Sequence, residues 1–134
     1  MPHEQSVFAE MLFDEEAVFR QLVEKAKRIF KVNQEGNIVL LVKRSELSDR
    51  QLAGIALLGR FFASRLDKAD SMVISVKEVA TQTRMTPKNA RNRLSELYKE
   101  GLAERVERGK YKAVLPAIEC IVDDILGIEA EASE

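Results

Sequence analysis

Two helix-start signals stand eleven residues apart near the middle of this chain, and a helix-stop signal follows the second. Ser75 with Glu78 three residues later is a capping box, in which each side chain hydrogen-bonds the backbone of the other residue. Thr86 followed by Pro87 is an N-cap with proline at the first helical position. Gly101 stands where a helix would end in a left-handed residue. The stretch predicts a short helix, a tight turn and a second helix that ends just before the glycine.

A β-hairpin pattern follows directly after this second helix. Apolar and polar residues alternate over 102–107 and again over 110–115, and Arg108-Gly109 provides a glycine turn between the two runs. A small antiparallel hairpin is therefore expected here, and Pro116 would end it because proline cannot donate a backbone hydrogen bond.

A central helix is expected in the first half of the chain. Ser48 with Gln51 forms another capping box, which opens a helix that runs to about Leu66. Gly54 and Gly59 lie inside it, although each glycine costs roughly 1 kcal/mol of helix stability relative to alanine. We interpret both as positions where another backbone approaches closely, which places this helix at the centre of the core.

The two ends of the chain carry further helix patterns. Residues 4–30 are predicted to form one long amphipathic helix, in which apolar residues recur in steps of three and four that are broken only at Glu15. A short hairpin is expected next, with strands at 30–33 and 37–42. The apolar face of the long helix either packs on its own domain or forms a dimer interface. A last helix, about 117–126, could add to that interface.

The charges are unevenly distributed along the chain. The formal net charge is −1, yet residues 75–112 hold ten Lys or Arg against five Glu. Residues 113–134 hold six acidic residues and no basic one. A basic stretch inside an otherwise acidic protein is the electrostatic footprint expected of a site for a polyanion such as nucleic acid.

Four short motifs occur in the order and spacing of a known family. They are Val79-Ala80, Arg93-Leu94-Ser95-Glu96-Leu97, Gly101-Leu102 and Arg108-Gly109-Lys110-Tyr111. With them, residues 48–115 resemble the winged helix-turn-helix family, and the chain is similar in texture to small archaeal transcription regulators. The resemblance implies a mainly α, α+β fold with small β-hairpins. It also implies DNA binding, with helix 87–100 in the major groove and the wing, 103–115, on the backbone or in the minor groove.

The resemblance over residues 48–115, together with the helix patterns at the two ends, predicts a division of the chain into four parts. A winged helix-turn-helix domain at its centre would be preceded by the long N-terminal helix with its hairpin and followed by a short C-terminal helix. The acidic tail is predicted to be disordered, because few apolar residues remain to anchor it. The expected boundaries are 1–47, 48–115, 116–127 and 128–134.

The predicted helix 87–100 has two unlike sides. Its inward side is expected to hold Ala90, Leu94, Leu97 and Tyr98. The opposite side is polar and basic, which suits a major groove, since asparagine can pair with adenine and Lys or Arg with guanine or phosphate. Lys88, Asn89 and Asn92 are the residues favoured for base edges, because the N-terminal part of such a helix approaches the bases most closely.

Phosphate contacts are expected from the rest of the helix and from the wing. Thr86, Arg91 and Lys99 are favoured on the helix, whereas Arg84 in the turn could contact a phosphate or form a local ion pair. The candidate DNA-contacting residues are Arg84, Thr86, Lys88, Asn89, Arg91, Asn92, Ser95, Lys99, Arg105, Arg108, Lys110 and Lys112.

Other kinds of site are not expected from this sequence. The only histidine is His3, near the N-terminus, so no histidine-based catalytic triad or metal site is predicted, and no cofactor. Cys120 is interpreted as a small buried residue of the last helix. A single cysteine excludes an internal disulfide and favours a cytoplasmic protein. The longest apolar run is too short to cross a membrane.

Three hypotheses about function follow from these patterns. The first is a homodimeric transcription regulator that binds double-stranded DNA. The second is a winged-helix module that binds another protein within a transcription or processing complex, which the near-zero net charge would suit. The third is a regulator that senses a small ligand between the N-terminal helix and the core. An enzyme is the least expected class.

Overall fold

The structure is a computed structural model that describes residues 7–127 of the chain. Within that range the chain is α+β: helices accompany two small antiparallel sheets, as predicted. No helix in the range is both long and apolar enough to span a bilayer. Three predicted features lie outside it, namely residues 4–6 of the first helix, His3 and the tail 128–134.

The first helix is shorter than predicted. Helix α1 spans Glu15–Ala26, whereas the apolar periodicity predicted one helix over 4–30. It begins where it does because Asp14 caps it: the Oδ1 atom of Asp14 accepts a hydrogen bond from the backbone N–H of Ala17 at 3.1 Å. Residues 7–9 are helical but separate from α1, because the chain turns between them and Asp14. The break in the apolar spacing is therefore the start of a new helix.

The first hairpin is present as predicted. Strand β1, Phe30–Val32, pairs antiparallel with strand β2, Ile38–Leu40. Gly36 closes the loop between them with a φ of +83°, a left-handed conformation that residues with a side chain rarely adopt. A 3-10 turn, Arg44–Glu46, then leads towards the central helix.

Helix α2, Asp49–Arg65, runs through the core. The predicted capping box is present: the Ser48 hydroxyl accepts from the Gln51 N–H at 3.0 Å, and the Gln51 side chain accepts from the Ser48 N–H at 2.9 Å. Eleven of the 17 residues of α2 are buried, so this helix forms the centre of the core.

The two glycines of α2 allow close packing, but of side chains and not of another backbone as predicted. At Gly54 an added Cβ would lie 2.5 Å from Cδ1 of Ile121, and at Gly59 it would overlap Cγ2 of Ile38. Alanine at either position would therefore push a neighbouring element away from α2.

The second half of the chain contains the predicted pair of helices. A two-residue strand, β3 (Ile74–Ser75), leads into helix α3, Val76–Thr83. Arg84 ends α3 in a left-handed conformation with a φ of +60°, and Thr86 then caps helix α4, Pro87–Lys99. Both predicted N-caps, at Ser75 and Thr86, are present because each side-chain oxygen accepts a hydrogen bond from a backbone N–H three residues later.

The second hairpin joins β3 to make a three-stranded sheet. Strand β4 is Ala103–Glu107 and strand β5 is Lys110–Ala113, and β5 lies between β3 and β4 with all pairings antiparallel. The N–H of Val76 donates to the carbonyl of Gly109 at 2.9 Å, which fixes the hairpin turn against the start of α3. The tip of the hairpin is thus held next to helices α3 and α4.

The last helix, α5, spans Glu119–Leu126 and ends at Gly127 as predicted, although it begins two residues later than expected. It buries Ile121 and Val122 against α1 and α2. Cys120 is exposed on its surface, so the prediction of a buried cysteine is wrong. Because α5 packs on α1, part of the apolar face of α1 is already buried within the single chain.

Candidate nucleic-acid interface

The inward side of α4 is largely the predicted one. Ala90, Leu94 and Leu97 are fully buried and pack α4 on α2 and α3. Tyr98, which was also expected inside, is 46% exposed, so that prediction is wrong. The guanidinium of Arg105 lies over the Tyr98 ring, 5.9 Å from its centre, and this cation–π contact ties the hairpin to the surface of α4.

The outward side of α4 carries a cationic ridge, which we define as Lys88, Asn92, Ser95 and Lys99. These residues are three or four positions apart and therefore follow one line along the helix. Lys88, Asn92 and Lys99 are exposed, and Ser95 is half-buried towards the hairpin. Neither lysine forms an ion pair with any residue from 7 to 127. The ridge thus presents donors to solvent with no internal counter-ion.

The N-terminal end of α4 is more occupied than the sequence suggested. The Thr86 hydroxyl accepts from the Asn89 N–H at 3.1 Å, so its oxygen is used as the cap, while its hydrogen remains free to donate. The Asn89 side chain donates from Nδ2 to the Asp49 carboxylate at 2.7 Å. Asn89 is therefore bound to the start of α2, and an acidic group lies beside a residue that was predicted to read bases.

A concave pocket lies between α4 and the hairpin, and we call it the arginine pocket. Its volume is about 530 Å³, and three arginines line it together with smaller polar groups. None of the three forms an ion pair with a carboxylate among the residues that the structure describes. Its lining is Arg91 and Ser95 from α4, Arg105, Arg108, Gly109 and Tyr111 from the hairpin, and Val76 from α3.

The electrostatics of the arginine pocket follow from that lining. Arginine keeps its charge at any physiological pH and offers a planar fork of N–H donors. Three such groups around one concavity repel one another unless an anion lies between them. The pocket is therefore suited to an anion with several oxygen atoms, of which a phosphate is the commonest in biology.

The remaining candidate cations are in different surroundings. Lys110 pairs with Glu107 at 3.0 Å, and Lys112 pairs with Glu104 at 3.5 Å. Arg84 is exposed in the turn before α4 and has no ion pair within the described range, so it remains free to bind an anion. Of the eight charged candidates, Lys110 and Lys112 are thus paired with glutamates, and the other six have no carboxylate partner within the described range.

Another arginine, Arg60, holds in place the start of α3, which supports the arginine pocket. Arg60 of α2 donates to the carbonyl of Val73 at 2.9 Å and pairs with Glu78 in the first turn of α3. Burial would raise the pKa of Glu78, but the hydrogen bonds from Arg60 and from Ser75 outweigh it and lower that pKa. The start of α3 is therefore clamped to the core, and the hairpin turn rests on it.

The candidate cations could be named from the sequence, but their arrangement could not. Tyr111 and the stacking of Arg105 on Tyr98 were missed, as was the role of Asp49. Tyr111 lies directly opposite Arg105 in the register of the hairpin, and a correct pairing of the two strands would have brought them together. That register depends on an irregularity between Arg105 and Glu107, which alternation alone does not reveal.

Neither possible metal ligands nor similar proteins give a further indication of function. Within residues 7–127, no three His, Cys, Asp or Glu side chains are grouped closely enough to hold a metal ion. Comparison of the chain with protein-family models, with curated proteins and with solved structures found no match.

Proposed function

We propose that residues 48–115 form a winged helix-turn-helix domain and that the protein is a DNA-binding transcription regulator. The order α2, β3, α3, α4, β4, β5 supports this, since a short helix, a turn and a second helix precede a hairpin that returns beside them. In this proposal α4 enters the major groove of a DNA duplex, and the hairpin β4–β5 is the wing, which contacts the backbone or the minor groove.

The arginine pocket is the observation that carries the proposal. It lies between the two elements that would straddle a DNA strand, and its arginines have no carboxylate partner among the described residues. A backbone phosphate that occupied it would be gripped by Arg91 from one side and by Arg108 from the other. That contact fixes how deeply α4 can enter the adjacent groove, because phosphate contacts set the position of a protein on a duplex.

The cationic ridge would then face the base edges. Asn92 is its best candidate for base recognition, since it is exposed and its amide can pair with the N6 and N7 atoms of adenine. Lys88 and Lys99 flank it and can reach guanine or phosphate. Asn89 is less suited to this role, because Asp49 already holds its side-chain amide.

The proposal is tested by measuring binding to a mixed pool of DNA duplexes over a range of salt concentrations. For a protein that neutralises phosphates, the logarithm of the binding constant falls linearly with that of the salt concentration, by about 0.9 for each phosphate. We expect R91A/R108A to weaken binding about a hundredfold at low salt, since losing the charge-assisted grip on one phosphate costs roughly 1.5–3 kcal/mol. The same variant should flatten the salt slope by about 0.9, because the one phosphate held by the two arginines is no longer neutralised.

A matched control is available on the first helix and just after it. R20A/R28A removes two exposed arginines and changes the net charge by the same amount, but at the N-terminal end of the chain. We expect it to bind DNA almost as well as the wild-type protein. Equal losses in the two double variants would show attraction by net charge alone. No binding at low salt would overturn the proposal and favour a protein-binding module.

A further inference from the structure

The N-terminal segment Val7–Phe13 exposes half of the exposed large apolar side chains in the described part of the chain. Met11 is 84% exposed and Leu12 is 78% exposed. Glu10 is the only charged residue of the segment. A cluster of this kind marks an interaction site, because soluble proteins rarely leave contiguous apolar surface in water. Within residues 7–127 the chain supplies no cover for it.

An apolar groove lies elsewhere on the N-terminal half, and we call it the N-terminal groove. Its volume is about 410 Å³, and its lining includes Phe19, Val23, Phe30, Val32, Phe62 and Leu66, which belong to α1, β1 and the end of α2. Two lysines line it as well. Lys27 pairs with Glu24 at 2.9 Å, whereas Lys31 has no ion pair with any residue from 7 to 127.

We propose that the segment Val7–Phe13 of one molecule docks in the N-terminal groove of a second copy of this chain, and reciprocally. The chemistry of the two surfaces is complementary, since apolar side chains would enter an apolar groove and Glu10 would meet the unpaired Lys31. Reciprocal exchange gives a closed dimer with two-fold symmetry, in which each contact occurs twice and no segment or groove is left over.

A second copy covers both exposed surfaces at once. A small apolar ligand would fill the groove and leave the segment in water. A face-to-face dimer through the inner side of α1, as the sequence suggested, is not free to form, because Leu22 and Ala26 are already buried within the chain. The N-terminal groove shares no residue with the arginine pocket, so the dimer would leave that pocket open.

The experiment is sedimentation analysis of the full chain and two variants over about a hundredfold range of concentration. Leu12→Glu places a charge on the segment, and Leu66→Glu places one in the groove. Both residues are exposed in the single chain, at 78% and 58%, so neither change should alter the folding of a monomer. Circular dichroism and the thermal midpoint of a dilute sample check this. We expect the wild-type chain to be dimeric and each variant to associate at least tenfold more weakly.

Mixing the two variants gives the decisive result. The segment of L66E is intact, and so is the groove of L12E, so an equimolar mixture should form a heterodimer through one docked segment. Its affinity should lie between those of the wild-type dimer and the single variants. A monomeric wild-type chain would overturn the proposal, as would unimpaired association of either variant. A mixture that stays monomeric would also overturn it, because it would show that the two sites do not bind each other.

Discussion

Helices α1 and α4 have similar lengths and both carry basic side chains, but their charges have different surroundings. Lys25 of α1 donates to Glu119 and to Asp123 of α5, both at 2.8 Å. Lys27, directly after α1, pairs with Glu24. Along α4, in contrast, Arg93 pairs with Glu96, but Lys88, Arg91 and Lys99 have no carboxylate partner within the described range. The first arrangement holds the fold together, and the second leaves charge for a partner.

The same difference recurs inside the β4–β5 hairpin. Lys110 and Lys112 are paired with glutamates on the opposite strand or across the turn, whereas Arg105 and Arg108 line the arginine pocket. A count of basic residues therefore overstates the charge available to an anion. What distinguishes the interface is cations that the fold brings together and does not neutralise.

The largest effect is expected from giving the arginine pocket an internal carboxylate. Ser95 lines the pocket and is half-buried, so Ser95→Glu would place its charge among the three arginines. The pocket would then resemble the paired charges of α1. We expect DNA affinity to fall about a hundredfold, since the charge-assisted contacts to the pocket phosphate are lost and a like charge faces the duplex. The free energy of unfolding should be unchanged or higher.

Ser95→Gln is the control for that substitution, because it has nearly the same size and no charge. It should reduce affinity much less than Ser95→Glu. If the two variants lost affinity equally, the effect would come from steric exclusion, and the electrostatic role assigned to the pocket would be wrong.

The next effect separates the two asparagines of α4. Asn92→Ala should weaken binding to a selected DNA site by roughly 1–3 kcal/mol, the value of one bidentate base contact, and relax the preference for adenine at one position. Asn89→Ala should leave that preference intact, because the Asn89 amide donates to Asp49. Binding selections with both variants measure this. A loss of base preference in Asn89→Ala alone would reverse the assignment.

The paired charges between α1 and α5 should affect stability and not binding. Lys25→Met should lower the free energy of unfolding by about 1–2 kcal/mol, because it leaves two partly buried carboxylates without their partner. DNA affinity should not change, which a urea titration and a binding assay on the same sample can check. A loss of affinity would show that the two ends of the molecule are coupled.

The pH dependence of that stabilisation has a definite sign. Burial would lower the pKa of Lys25, but hydrogen bonds and charges from Asp123 and Glu119 outweigh it and raise that pKa. The contribution of Lys25 is thus complete below its ordinary pKa and is lost as the pH rises through the raised one. The difference in unfolding free energy between wild type and Lys25→Met should therefore shrink above about pH 10.4.

Much of the fold could be predicted from the sequence, because its signals are local. Capping boxes at Ser48 and Ser75 and the proline after Thr86 fix helix starts through hydrogen bonds within three residues. The extent of the first helix could not be predicted in the same way. Asp14 is a good cap, but the apolar spacing continues across it, and spacing alone does not show where a helix begins again.

The candidate interface could be predicted less well, because it depends on contacts between distant parts of the chain. Asp49 lies 40 residues before Asn89, and no local pattern joins them. Tyr98 lies close to the buried side of α4, and its exposure depends on where Arg105 stacks. Which basic residues of the hairpin are paired with a glutamate also depends on the register of its two strands. The alternation of apolar and polar residues does not reveal the irregularity after Arg105 that sets this register.

The smallest effect is expected from releasing one paired charge of the hairpin. Glu107→Gln removes a negative charge and frees Lys110, which the wild-type chain holds at 3.0 Å from the Glu107 carboxylate. Both groups are exposed, so the pair adds little stability, and we expect about two- to threefold tighter DNA binding at low salt. Raising the salt concentration should abolish the gain, since exposed charges are screened over about 10 Å at 0.1 M. Glu35→Gln makes the same charge change in the loop of the first hairpin and should have no effect. Equal gains from the two substitutions would mean that net charge alone governs affinity, and the distinction between paired and unpaired cations would then not describe how this protein binds.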